Sequence, residues 1–164
     1  MNRKNTLVIL AGISGSGKST FAKLLEEQGW AITCPDRIRA FLYGNESIQG
    51  DGNEVFQMAF DNMVEYGKQG YDLVFDATNT TRKARKQVIE KARPHYNFIL
   101  CYYFTPDLDK SIINQAKRER QVPIEIMVRQ IEKWQTPTLD EGFDYVCEIK
   151  YWKKIKYFWK TLDK

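Results

Sequence analysis

The sequence has a single histidine, His95, and only three cysteines, Cys34, Cys101 and Cys147, among 164 residues. His95 follows Pro94 and reads as a strand-end residue, and no catalytic triad and no metal cluster is in view. The cysteines are odd in number, far apart and mostly inside apolar runs, so they form neither a disulfide framework nor a metal-ligand spacing. They read as small buried side chains in a reducing cytoplasm. No run approaches the ~18 apolar residues that a membrane span needs, so no membrane partner is expected. The N-terminus, Met1-Asn2-Arg3-Lys4-Asn5, leads straight into a short apolar segment, with no long hydrophobic region and no small-residue cleavage site, so no secretory signal is expected. Repeats, low-complexity tracts and linkers are also missing. Charge of one sign is scarce: 25 basic against 21 acidic residues leave +4, which fits an anionic partner such as ATP or nucleic acid without requiring one.

What is present alternates. Residues 6–11 are a continuous apolar run with β-branched members, closed by glycine, as in a buried strand. Residues 18–28 carry Phe21, Leu24 and Leu25 at helical spacing, and Gly29 stops them. Short strands are expected at 30–34 and 71–75, a fourth within 95–104 and a fifth at 143–151. Between them helices are expected from Asp36 (Ile38, Phe41, Leu42), over 53–68 (Phe56, Ala59, Phe60, Met63), after a Thr80/Thr81 cap, from Pro106 to about Arg118, and from Pro123, whose fixed φ suits a helix start. Residues 44–52 read as a polar loop. Strands alternating with helices predict an α/β P-loop domain: a parallel sheet of about five strands, helices on both faces and a helical lid. The predicted domain spans 1–150. Residues 151–164 form a basic-aromatic helix or tail of the same domain, with Trp152, Ile155, Trp159 and Leu162 on one helical stripe. That stripe either docks on the domain or grips single-stranded nucleic acid.

Gly12-Ile13-Ser14-Gly15-Ser16-Gly17-Lys18-Ser19 matches the phosphate-binding pattern G-x-x-x-x-G-K-[ST] without a mismatch, between an expected strand and an expected helix. Gly12, Gly15 and Gly17 let the backbone curl so that N–H groups, including those of Ser14 and Ser16, converge on one concavity. The helix N-terminus adds its positive dipole end. Lys18 supplies a charge for the β- and γ-phosphates of ATP, Ser19 a hydroxyl for Mg²⁺, and Thr20 a further phosphate contact.

Ligands of open α/β sheets gather beyond the carboxyl ends of the strands, so the residues there are the other candidates. Asp36, after the second strand, is placed to accept a proton from an attacking hydroxyl. Arg39, one turn later, is placed to hold an anionic group of the acceptor. The alternative is an N-cap and a surface charge. Asp76 ends the third strand as a carboxylate for Mg²⁺-bound water, and Thr78 and Asn79 follow as acceptor contacts or as turn formers. The basic stretch Lys117-Arg118-Glu119-Arg120 reads as a phosphate-clamping lid or as a solvated helix end. Asp107-Leu108-Asp109-Lys110-Ser111 has the outline of an aspartate-nucleophile phosphatase motif, but its acids suit a helix start better.

In order, the phosphate loop, Pro-Asp-Arg-Ile-Arg at 35–39, Asp-Ala-Thr-Asn at 76–79, Arg-x-Arg-x-Val-Pro-Ile-Glu at 118–125 and Pro-x-x-x-Glu-Gly-Phe-Asp at 137–144 resemble the polynucleotide 5′-hydroxyl kinase family, the P-loop kinase modules of phage and bacterial end-healing enzymes. The resemblance runs from Leu7 to about Val146. It implies ATP and Mg²⁺ at Lys18 and Ser19, Asp36 as general base on a 5′-hydroxyl of RNA or DNA, and Arg39 on the phosphate 3′ of that nucleotide. It also implies Arg118 or Arg120 as the lid arginine on the donor phosphates, and the segment 134–143 beside the nucleotide base. It further implies a cytoplasmic protein of phage or bacterial origin. Kinases of a nucleoside, a sugar nucleotide or a hydroxymethylated base are the alternative, with the 44–52 loop closing an acceptor pocket. A non-enzymatic ATP-binding switch is a weaker rival, because a switch needs no base. Oligomeric state is not legible.

Overall fold

The computed structural model describes residues 4–150, so the expected helix or tail at 151–164 lies outside the described residues. The chain runs β1 (Thr6–Ala11), α1 (Lys18–Glu26), β2 (Ala31–Thr33), α2 (Pro35–Tyr43), α3 (Gly52–Lys68), β3 (Leu73–Asp76), α4 (Arg82–Ala92), β4 (Phe98–Tyr103), α5 (Leu108–Gln115), α6 (Ile124–Glu132), a 3₁₀ turn (Leu139–Glu141) and β5 (Tyr145–Glu148). The five strands pair in parallel, in the order β2-β3-β1-β4-β5. This is the expected α/β fold of a P-loop NTPase.

β1 is the middle strand and is buried along its whole length, which is why its sequence is a continuous apolar run rather than an alternation. Its odd residues, Leu7, Ile9 and Ala11, join Leu73, Phe75, Ile99 and Cys101 under the face packed by α3 and α4. Its even residues, Val8 and Leu10, join Val74, Tyr102 and the α1 residues Phe21, Ala22 and Leu25 on the other face. The period-two geometry of a strand thus splits one apolar sequence between two cores. The chain leaves β1 toward β3 and β2 on one side and reaches β4 on the other. The C-terminal end of β1 is therefore the switch point where such sheets bind ligands.

Three expected boundaries shift. α2 begins at Pro35 with Cys34 as N-cap, so Asp36 lies in the first helical turn and is not the cap. α5 ends at Gln115 rather than near Arg118, leaving 116–123 as a non-helical strap between α5 and α6. β5 stops at Glu148, short of 151. The Asp107 side chain caps α5 by accepting from the Lys110 N–H at 3.0 Å, the structural role its acidic neighbourhood suggested. Thr81, rather than Thr80, caps α4, accepting from the Ala84 N–H.

Candidate active site

A cleft of about 900 Å³ opens at the C-terminal end of β1 and β3, near the upper end of the size range of small-molecule sites. One wall is the phosphate loop. Gly12 is required by close approach: a Cβ there would lie 2.7 Å from the Ser16 hydroxyl and 3.2 Å from the Phe104 Cβ. Its N–H donates to the Thr78 carbonyl at 2.8 Å, which ties the loop to the end of β3. Gly17, at φ 103°, is the N-cap of α1 and supplies no side-chain cap. The first N–H groups of α1 are left for an anion, as a helix N-terminus built to bind phosphate requires.

Lys18 is buried. Its ammonium donates to the Ile13 carbonyl at 2.8 Å and to the Ser16 Oγ at 3.4 Å. Burial pushes its pKa from the ordinary 10.5 down to about 8, with the Arg118 charge adding to the fall and Asp76 opposing it. A cation held this far from water is stabilised by any anion that enters the cleft. Ser19 donates its hydroxyl to the Asp76 Oδ2 at 3.0 Å. Burial raises the Asp76 pKa, while Lys18 and the Ser19 hydroxyl pull it back. A desolvated carboxylate beside a hydroxyl at the phosphate loop is an oxygen donor set that suits Mg²⁺, so these residues fit the metal the motif implies.

The opposite wall is α2. Asp36 and Arg39 both line the cleft, and the Arg39 Nη1 contacts the Asp36 Oδ1 at 2.7 Å. The Arg39 Nε is buried without a hydrogen-bond partner. From the strap, the Arg120 Nη1 reaches the same Asp36 Oδ1 at 3.1 Å. Arg118 also lines the cleft, with an exposed side chain, and its charge acts on Lys18. Arg120 thus pairs with Asp36, while Arg118 lines the same cleft with its charge felt at Lys18.

Other expectations are redirected. Thr78 lines the cleft, but Asn79 does not. Asn79 sits in the left-handed region at φ 45° and is buried, its Nδ2 donating to the Leu10 carbonyl at 2.7 Å. It therefore braces β1 and is not an acceptor contact. None of residues 134–143 lines the cleft. Trp134 instead packs on Tyr103, with ring centroids 6.4 Å apart.

Sequence reasoning missed several residues. Gln130 of α6 grips Ser14 twice, accepting from its N–H at 2.8 Å and donating to its Oγ at 3.1 Å. Asn114 of α5 donates to the Gly15 carbonyl at 2.8 Å. Both are ordinary polar helix residues whose partners are about a hundred positions away, so no sequence signal marks them. Phe56, Ser47 and Gln49 also line the α2 side of the cleft. Arg85 is fully buried. It pairs bidentately with Glu141 at 2.7 and 2.8 Å and donates to the Asn79 carbonyl at 2.9 Å. A signal existed here: Arg85 stands on the same helical stripe as the core residues Val88, Ile89 and Ala92.

Residues 7–137 match the family model of the AAA domain. Among curated proteins, the chain is 26% identical over 142 residues to a putative bifunctional polynucleotide kinase/RNA ligase of Autographa californica nuclear polyhedrosis virus, covering 78% of this chain but only 20% of that protein. Among solved structures, a chain of the Pnkp1/Rnl/Hen1 RNA repair complex superposes with a TM-score of 0.71 at 18% identity, covering 81% of this chain and 45% of that one. A gluconokinase from Sinorhizobium meliloti superposes with a TM-score of 0.59 at 16% identity, covering 92% of this chain and 86% of that one. The chain therefore spans less than half the length of the first two relatives. Among the described residues, no helix is long and apolar enough to cross a membrane. With the family model matched from residue 7 to residue 137, the chain belongs to the AAA domain family, built on the P-loop kinase fold and similar to the polynucleotide kinases its motifs resemble.

Proposed function

We propose that this protein is an ATP-dependent kinase that transfers the γ-phosphate to a 5′-hydroxyl end of RNA or DNA. One observation carries the reading. A single cleft holds the phosphate loop and, facing it, the Asp36–Arg39 pair, a carboxylate and a guanidinium 2.7 Å apart. A nucleotide-sensing switch needs the first wall only.

In this mechanism the loop N–H groups, the α1 N-terminus and Lys18 bind the donor phosphates and hold them in line with the acceptor. Ser19 and Asp76 would hold Mg²⁺, which when bound neutralises charge on the donor oxygens. Asp36 accepts the proton of the attacking hydroxyl as its oxygen bonds to the γ-phosphorus and the bond from that phosphorus to the β–γ bridging oxygen breaks, releasing ADP. Arg39 holds the acceptor's adjacent phosphate through the donors that Asp36 does not use. Arg118 lines the cleft and offsets charge that develops on the transferring group.

A small hydroxylated metabolite is the second reading. It is favoured by the gluconokinase likeness and by the polar side chains of Ser47 and Gln49, which line the cleft. Radiolabelled ATP offered with 5′-OH RNA, 5′-OH DNA, a nucleoside 3′-monophosphate, a bare nucleoside, a sugar nucleotide and gluconate separates the two. The decisive arm is a cycle of wild type and Arg39→Ala against the nucleoside 3′-monophosphate and the bare nucleoside. A loss in kcat/KM confined to the phosphorylated acceptor is expected. Equal losses on both would remove the 3′-phosphate contact and favour the small-molecule reading.

A further inference from the structure

The contact between Arg120 and Asp36 bears on the order in which ligands enter, an inference that rests on the kinase reading above. Two guanidinium groups converge on one carboxylate oxygen, the Asp36 Oδ1: Arg39 at 2.7 Å and Arg120 at 3.1 Å. Arg39 belongs to the same helical turn and is 13% exposed, whereas Arg120 comes from the strap across the cleft and is 21% exposed. Like charges this close repel, and Asp36 keeps an ion-pair partner when one of them leaves. Arg120 is the one whose departure costs little.

The strap is fastened to the phosphate loop on both flanks. At its start, Asn114 donates to the Gly15 carbonyl, and the neighbouring Gln115 accepts from the Val122 N–H at 3.0 Å. Beyond its end, Gln130 holds the N–H and the hydroxyl of Ser14. A triphosphate in the loop would present several negative oxygens to the strap residues Lys117 and Arg118, which line the same cleft. A single shared carboxylate is the weaker attraction.

We propose that Arg120 is an acceptor-side latch. In the nucleotide-free protein it occupies the carboxylate that the incoming hydroxyl needs and bridges the mouth of the cleft. Binding of the donor triphosphate draws the strap toward the loop and frees Asp36. The acceptor then binds productively after the donor, and Arg120 is a positioning residue that acts through Asp36. The differential affinity of the triphosphate for the two strap positions drives the change.

The test is anisotropy of a 3′-fluorescein-labelled 5′-OH oligonucleotide bound to the whole chain, with and without a non-hydrolysable ATP analogue and Mg²⁺. Wild type should bind the oligonucleotide on the order of tenfold tighter with the analogue, within the ~5–150-fold usual for coupled sites. By linkage, the oligonucleotide should tighten analogue binding by the same factor. Arg120→Ala should bind the oligonucleotide without nucleotide about as well as wild type does with it, should bind the analogue alone correspondingly tighter, and the coupling should vanish. Arg120→Lys, which keeps the charge but loses the fork, should fall between. Persistent coupling in Arg120→Ala would overturn the latch. So would a raised KM for ATP with unchanged oligonucleotide binding, which would move Arg120 to the donor phosphates. Wild type that neither binds nor phosphorylates any oligonucleotide would defeat the polynucleotide reading itself, and the latch with it, in a result visible before any variant is made.

Discussion

The two walls of the cleft are built from different materials. The phosphate-loop wall is one stretch of chain, residues 12–20, and its binding groups are mostly backbone N–H groups aimed by glycine geometry and by the start of α1. The α2 wall has no continuous segment. Asp36 and Arg39 come from one helix, Arg120 from the strap, Phe56 from α3, and Ser47 and Gln49 from the loop between α2 and α3. Local geometry places the backbone donors of the first wall, and Gln130 and Asn114 brace that loop from α6 and α5. The second depends on four segments meeting, so small differences there can re-aim the fold at a new acceptor. The same fold is found in a chain of an RNA repair complex and in a gluconokinase.

The comparison can be tested by breaking each wall separately. The largest effect is expected at Asp36. Asp36→Asn keeps the shape but cannot take the hydroxyl proton, and losing a general base costs roughly 10²–10⁴-fold in rate. kcat should fall with every acceptor while equilibrium binding of an ATP analogue is preserved. Undiminished turnover would mean that Asp36 only positions Arg39. Next is Lys18→Ala, which removes a charge-assisted contact to the donor. A contact of this kind contributes about 10²–10³-fold, and the loss should be the same for all acceptors, because this wall does not read them. A loss that varied with acceptor would contradict the division of the cleft into two halves.

Asn79→Ala tests a residue that the structure moves out of the acceptor site. It removes the buried bond to the Leu10 carbonyl and puts alanine at φ 45°, which should lower stability by about 1–3 kcal/mol. Thermal unfolding should show the loss, and KM for the acceptor should stay near the wild-type value. A change in KM without a change in Tm would return Asn79 to the acceptor.

The smallest effect concerns protons. The folded pKa of Lys18 is depressed to about 8 from 10.5, so between those values the unfolded chain binds the extra proton. Stability of the nucleotide-free protein should therefore rise with pH across that window from this residue alone. Phosphate oxygens favour the charged form, so ADP binding near pH 8 should take up a fraction of a proton. Calorimetry in two buffers of different ionisation enthalpy measures this, and Lys18→Met should remove it. Equal uptake in both proteins would assign the proton elsewhere.

Much of this was legible in the sequence. β1 and the phosphate loop are local features: a buried strand must be apolar throughout, and a turn that wraps phosphate must have glycine at 12 and 17. The alternation of strands and helices likewise implied a parallel sheet, and Asp36, Arg39, Asp76 and Thr78 do reach the cleft because residues after parallel strands emerge on one edge. Asn79 was misread because the pattern shows where a residue falls on the chain but not which way its amide turns. The partners of Gln130, Asn114 and Arg85 were invisible for a related reason. A hydrogen bond between positions far apart in the chain leaves no periodicity in either segment. The pairing of Arg120 with Asp36 had the same origin, because a non-helical strap gives no periodicity from which to place a side chain. By itself, then, the sequence determined the sheet, the phosphate loop and the edge at which the cleft opens, because backbone sterics and strand burial are local. Which side chains meet across the cleft was decided only by the packing of α2, α3, α5 and α6, because such contacts depend on distances between segments that no local pattern encodes.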